Sequence, residues 1–218
     1  LPIKKRIYKY YLTLKLLSLK VFRGYFLKDK MINYIKYKSW YIDCHDKLKI
    51  KYGIDLNFIC GLIASISPQM NVRRNLDIAE AIYRDYQTDR NKFYKVLKNK
   101  TKFYNTYGLF KPHYNNIVKV IFHDFNEPLI LNGNKVQNFY LNLSGDYNAV
   151  TIDTWMLRYF NHRNLNYLNK TDYIKYSNII KEEASKLNLK PAEYQAIIWI
   201  KIRIENNESP ICFADLIN

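Results

Sequence analysis

The chain has 218 residues, with 35 Lys and Arg against 19 Asp and Glu, a formal net charge of +16 and a pI of about 9.6. A hydrophobic content of 48% excludes a disordered tail and supports one sizeable core or two small lobes. AT-rich coding bias would enrich Lys, Asn, Ile and Tyr without thinning out Asp and Glu, so the charge predicts an acidic partner, most simply nucleic acid.

In chain order, residues 1–30 form a basic N-terminal helical extension with nine Lys/Arg and one Asp. Its stretch 3–28 reads in three ways: a helix lying on DNA, an amphipathic helix docked on the body, or a helix on a membrane surface. Lys15 and Lys20 interrupt the apolar run, so no signal-peptide core is expected. Residues 31–52 read as one helix with an aromatic face of Tyr34, Tyr37, Trp40 and Tyr41. Within it, Asp43-Cys44-His45-Asp46 has metal-ligand residue types. Adjacent helical residues do not share a face, however, and no metal is expected. Residues 55–66 predict a strongly buried helix that Pro68 ends. Residues 73–86 predict an amphipathic helix with Leu76, Ile78, Ala79, Ile82 and Tyr83 inside.

Residues 91–104 are basic and aromatic, and a turn at Gly108 leads to a helix near 112–123. A tight turn at Leu131-Asn132-Gly133-Asn134 precedes a helix near Lys135, and another helix starts at Asp153. Helices over 171–187 and 191–204 follow, the second with Pro191 at its first position. No stretch alternates as strands do, so the fold class is all-α. The longest strongly apolar run, Phe58 to Ile66, is too short to span a bilayer. Cys44, Cys60 and Cys212 are far apart in sequence. They predict neither a disulfide framework nor a zinc site, but buried reduced thiols in a cytoplasmic protein (the host cytoplasm for a phage-encoded one). A monomer is expected.

Lys135 and Asp153 carry the chemistry. Lys135 follows the glycine turn, and Asp153 opens the helix of the run Val150 to Arg158. An amine and a carboxylate so placed suit attack on a sugar C1′, the carboxylate stabilising the positive charge that develops there. Plainer readings stand beside this one. Asp153 is a good helix N-cap, Lys135 is a phosphate contact or a surface lysine, and Gln69 is a polar cap after Pro68. Arg158 is a phosphate contact or a salt-bridge partner.

These residues resemble the helix-hairpin-helix (HhH-GPD) superfamily of DNA glycosylases, within it the endonuclease III family. The Lys-to-Asp spacing is the same, and Arg158 falls where that family has Arg after its Asp-Thr. Leu62 to Gln69 is similar to the family's first core helix and the Ser-x-Gln after it. Tyr107-Gly108-Leu109-Phe110 with Asn116-Ile117-Val118 is similar to the approach to the hairpin, and Pro191 to Tyr194 with Trp199 to the last core helix. The match covers roughly residues 40–203.

The resemblance implies a two-lobed helical fold with a central cleft. One lobe is residues 54–145 with the hairpin; the other is 31–53 with 146–218. It implies a DNA glycosylase, with or without AP-lyase activity, that flips a base and uses Lys135 as nucleophile and Asp153 as charge stabiliser. Gln69 would enter the gap left by the flipped base. Asn132, Gly133, Asn134 and Arg158 would contact phosphates. The chain departs from the family in three places. Its hairpin has one glycine, Trp155 replaces a His, and the segment from Ile204 to Cys212 lacks the iron–sulfur cysteines, so no cluster or other cofactor is expected. Such divergence also resembles phage proteins that transfer groups to hydroxymethyl-pyrimidines, and a non-catalytic DNA-binding protein is the third reading.

Overall fold

A computed structural model describes residues 32–217 except Arg163 and Pro210. The N-terminal extension, residues 1–30, lies outside the described residues. Those described are helical, with no strand among them: α1 (Trp40–Tyr52), α2 (Leu56–Ile66), α3 (Val72–Thr88), α4 (Arg90–Lys98), α5 (Lys100–Tyr107), α6 (Lys111–Ile121), α7 (Asn134–Leu143), α8 (Thr154–Tyr159), α9 (Lys170–Lys186) and α10 (Pro191–Glu205). No helix among them is long and apolar enough to cross a membrane.

The all-α class therefore holds, and one expected helix divides. Residues 31–52 separate into a 3-10 turn, Ile32–Tyr37, and α1, with Ser39 between them. The 3-10 turn has no buried residue, whereas Trp40 and Tyr41 at the start of α1 are buried. Residues 91–104 fall in two helices, α4 and α5, separated by Asn99, whose side chain accepts the Lys102 N–H and so starts α5. A short amide side chain competes with the continuing helix for backbone donors, which is why it favours a cap over a helix interior. Asn71, Asp89 and Asn169 start α3, α4 and α9 in the same way.

Helix α2 is the centre of the larger apolar cluster, with every residue from Phe58 to Ile66 buried. Gly61 lets α6 approach closely. A Cβ there would stand 2.9 Å from Val120 Cγ2, inside any tolerable contact. A second cluster is built by Val150, Ile152, Met156 and Leu157 with α9 and α10.

Helix α10 belongs to both clusters. Its Ala192, Ala196 and Ile200 face the larger one, and Tyr194, Ile197, Ile198 and Ile202 the smaller. Each buried Ile there contributes about 1.5–3 kcal/mol. The stripe left between the two faces, Gln195, Trp199 and Arg203 at four-residue spacing, lines a cavity.

Cys44 Sγ lies 3.0 Å from Cys212 Sγ, both buried and both free thiols. Sequence separation concealed this pair, which the C-terminal segment brings against α1. The Asp43 to Asp46 run disperses as its helical spacing requires. Asp43 accepts from Ser39 Oγ, Cys44 meets Cys212, and His45 Nδ1 bonds the Leu143 carbonyl.

Candidate active site

The cavity has a volume of about 820 Å³. It lies among the start of α1, the turn after α2, the hairpin with α7, residues 151–155, the loop at 166–168, and α10. Lys135, Asp153 and Gln69 all line it, as do Gly133 and Asn134.

Lys135 sits in the first turn of α7 and donates to Ser67 Oγ at 2.6 Å. Ser67 Oγ in turn donates to the Ala64 carbonyl at 2.7 Å, so its lone pair is what meets the amine. The Phe139 ring lies 5.3 Å from the ammonium nitrogen. Lys135 is half-buried, and its side chain lines the cavity. Burial therefore pulls its pKa from 10.5 down to about 8, against a smaller upward pull from the Asp153 charge. About a tenth of the amine is neutral and nucleophilic at pH 7 as a result.

Asp153 is an N-cap and a cavity carboxylate at once. Its Oδ1 accepts the Met156 N–H at 2.9 Å, and its Oδ2 accepts the Trp199 indole N–H at 2.8 Å. Both oxygens are thus fixed, one by the backbone of α8 and one by α10. The carboxylate stands at the N-terminus of α8 with two N–H donors on it.

Side-chain bonds brace the turn at residues 131–134. Asn132 N–H donates to Asn116 Oδ1 at 2.7 Å, and Asn116 Nδ2 returns a bond to the Asn132 carbonyl at 3.1 Å. Lys119 Nζ reaches Asn132 Oδ1 at 2.8 Å, and the Gln137 amide accepts Leu131 N–H at 2.6 Å. Gly133 then turns the chain at φ +90° and ψ 126°, a conformation that side chains disfavour. It starts α7 with no side-chain cap bond. The Asn132 amide is consumed internally, so the donors that the turn can offer come from Gly133, Asn134 and Lys135.

Gln69 adopts a left-handed φ of +57°, which costs a non-glycine residue about 1 kcal/mol. Two bonds hold this turn: Lys135 on Ser67, and His113 Nε2 on the Pro68 carbonyl at 2.8 Å. His113 Nδ1 accepts the Phe110 N–H, so Nε2 carries the proton. Burial lowers its pKa, the Pro68 bond opposes that, and Lys135 lowers it further, which keeps the ring neutral.

Arg158 is not among the cavity residues; its guanidinium lies 3.7 Å from the Trp155 ring centroid. Trp155 itself lines the cavity, and Arg203 stacks 4.6 Å from Trp199. Sequence reasoning assigned no role to Trp40, His113, Gln195 or Arg203. The readable signal was polar and aromatic residues at four-residue spacing along an otherwise apolar α10.

No curated protein and no solved structure matches the chain. One family model matches residues 28–206, a span that contains Gln69, Lys135, Asp153 and Trp199. The chain therefore belongs to the family of unknown function DUF7178.

Proposed function

We propose that the protein is a DNA glycosylase of helix-hairpin-helix type, in which a nucleotide leaves the duplex, enters the cavity and loses its base. The observation that carries this reading is that a desolvated lysine and a doubly anchored aspartate, eighteen residues apart, line one cavity. In this mechanism neutral Lys135 Nζ attacks C1′. The C1′–N bond to the base breaks, and its electron pair leaves with the base, which takes up a proton that the attacking amine gives up. The C1′–O4′ bond then opens and O4′ takes up a proton from water, leaving a cationic iminium between Lys135 and C1′ and a hydroxyl at C4′. The Asp153 carboxylate lowers the energy of the cationic sugar as the base departs. Donors from Gly133, Asn134 and Lys135 would hold a phosphate at the start of α7, as helix N-termini do. Gln69 would fill the vacated stack.

The test is borohydride trapping on oligonucleotides carrying uracil, oxidised pyrimidines, hydroxymethyluracil or an abasic site. A reduced covalent adduct with wild type, absent in Lys135→Ala and strongly diminished in Asp153→Asn, is the expected result. Tight, salt-sensitive DNA binding with neither adduct nor base release on any substrate would reject excision. That outcome would favour the second reading, a transferase acting on hydroxymethyl-pyrimidine DNA. The observation on its side is the cavity of about 820 Å³, larger than an unmodified pyrimidine needs.

A further inference from the structure

Four buried side-chain polar atoms among the described residues lack a hydrogen-bond partner, and three of them belong to residues that line this cavity: Trp40 Nε1, Asn75 Oδ1 and Gln195 Oε1. Folded proteins rarely leave such atoms unpaired, and their concentration around one cavity points to a ligand that supplies the missing partners. Asn75 already uses its amide nitrogen on the Ile63 carbonyl at 3.1 Å. Trp40 and Trp199 meet edge to face at 5.7 Å, but the Trp199 N–H is taken by Asp153. Of the two neighbouring indoles, only Trp40 keeps its donor.

The surroundings narrow the ligand. All three tryptophans of the chain, Trp40, Trp155 and Trp199, line the cavity. Beside Gln195 the floor is polar, and the Asp153 charge reaches the Tyr41 hydroxyl there. Thr151, Asn142 and Gln195 approach the Tyr41 hydroxyl closely enough to oppose the rise in its pKa that burial imposes. Tyr41, Thr151, Asn142 and Gln195 are themselves buried. An indole N–H only donates and an amide oxygen only accepts. A ligand that pairs with both must therefore show an acceptor and a donor, and a flat face suits the aromatic walls. A phosphate has no donor here, and a sugar has no flat aromatic face.

We propose that Gln195 and the Trp40 indole N–H together read the hydrogen-bonding edge of a neutral nucleobase held in this cavity. The assignment rests on the base-flipping reading for how the base arrives, but not for how it is held. Gln195 projects from the middle of α10, a helix packed on both flanks, so its amide is held on a rigid element as a specificity residue requires.

Because every tryptophan lines the cavity, intrinsic fluorescence reports its occupancy. The full chain, in wild-type and Lys135→Ala forms, is titrated with thymidine, deoxyuridine, 5-hydroxymethyldeoxyuridine, deoxycytidine, deoxyadenosine and deoxyguanosine. The control is the difluorotoluene deoxynucleoside, which keeps the shape of thymidine and loses its hydrogen-bonding edge. At least one natural nucleoside should saturate the signal at a concentration about tenfold lower than the isostere. Gln195→Met, which keeps side-chain length, should erase that preference, and Trp40→Phe, which keeps a ring, should weaken it.

Equal binding of the isostere, or an unchanged preference in both folded variants, overturns the assignment. No quenching by any nucleoside overturns it too, leaving water as the partner of these atoms. The outcome separates from that of the excision chemistry. Saturable, Gln195-dependent quenching without any borohydride adduct rejects excision and retains the pocket. An adduct whose base preference survives Gln195→Met does the reverse.

Discussion

Lys135→Met removes the charge of a desolvated amine while keeping a side chain of similar length, and its effect on stability follows from linkage. The folded-state pKa of Lys135 is about 8, against an ordinary value of 10.5. Well below pH 8 the amine is protonated in both folded and unfolded chains. Between pH 8 and 10.5 the unfolded chain binds the extra proton, so wild-type stability rises with pH across this window. Each tenfold change in proton affinity is worth 1.36 kcal/mol, and integrating from pH 7 to pH 10 gives a gain of about 2.5 kcal/mol that Lys135→Met cannot share. The 21 tyrosines also titrate at high pH, but they are common to both proteins and cancel in the difference. Urea unfolding of the two proteins at several values of pH measures it. Lys135→Met should be relatively most stable at pH 7, with its advantage shrinking by about 2.5 kcal/mol by pH 10. A difference that stays flat across this range would refute a desolvated amine. The same titration governs adduct formation, which should climb as pH rises towards 8 and level off above it.

Asp153→Asn can still cap α8 through its one carbonyl oxygen, but its NH2 would then face the Trp199 N–H, donor against donor. The expected cost is about 1–3 kcal/mol in denaturant unfolding, together with loss of base release; unchanged stability would argue against the Trp199 bond. Gly133→Ala meets no atom within 4 Å and so tests backbone strain alone. At φ +90° it should lose about 1–3 kcal/mol, and a neutral result in thermal unfolding would show that the turn relaxes. Finally, the observed DNA association constant should fall linearly on a log–log plot against salt, with a slope of about −0.9 per phosphate contacted on duplex DNA. Salt-independent affinity would reject the DNA partner.

Much of the helical frame was legible in the sequence. Apolar periodicity located α2 and α3, Pro68 and Gly108 marked turns, Pro191 opened α10, and Asp153 read as a cap. These are local effects, in which backbone dihedrals and the first turn's donors are set by residues a few positions away. The cap at Asn99 between α4 and α5 was not legible, because a side-chain cap competes with continued helix on nearly equal terms and composition does not reveal which wins. The juxtaposition of Lys135 with Asp153 was an expectation from their spacing, and it required the fold to bring α7 and α8 to one cavity. The Trp199 bond to Asp153, the thiol pair of Cys44 and Cys212, and the unpaired Gln195 Oε1 left no sequence signal that fixed them. Each joins residues 46 to 168 positions apart or depends on what is absent nearby. The sequence by itself determined where helices start, stop and bury their apolar faces. Only the tertiary structure decided which polar groups lose water together, because desolvation depends on every element packed around a group and not on its neighbours in the chain.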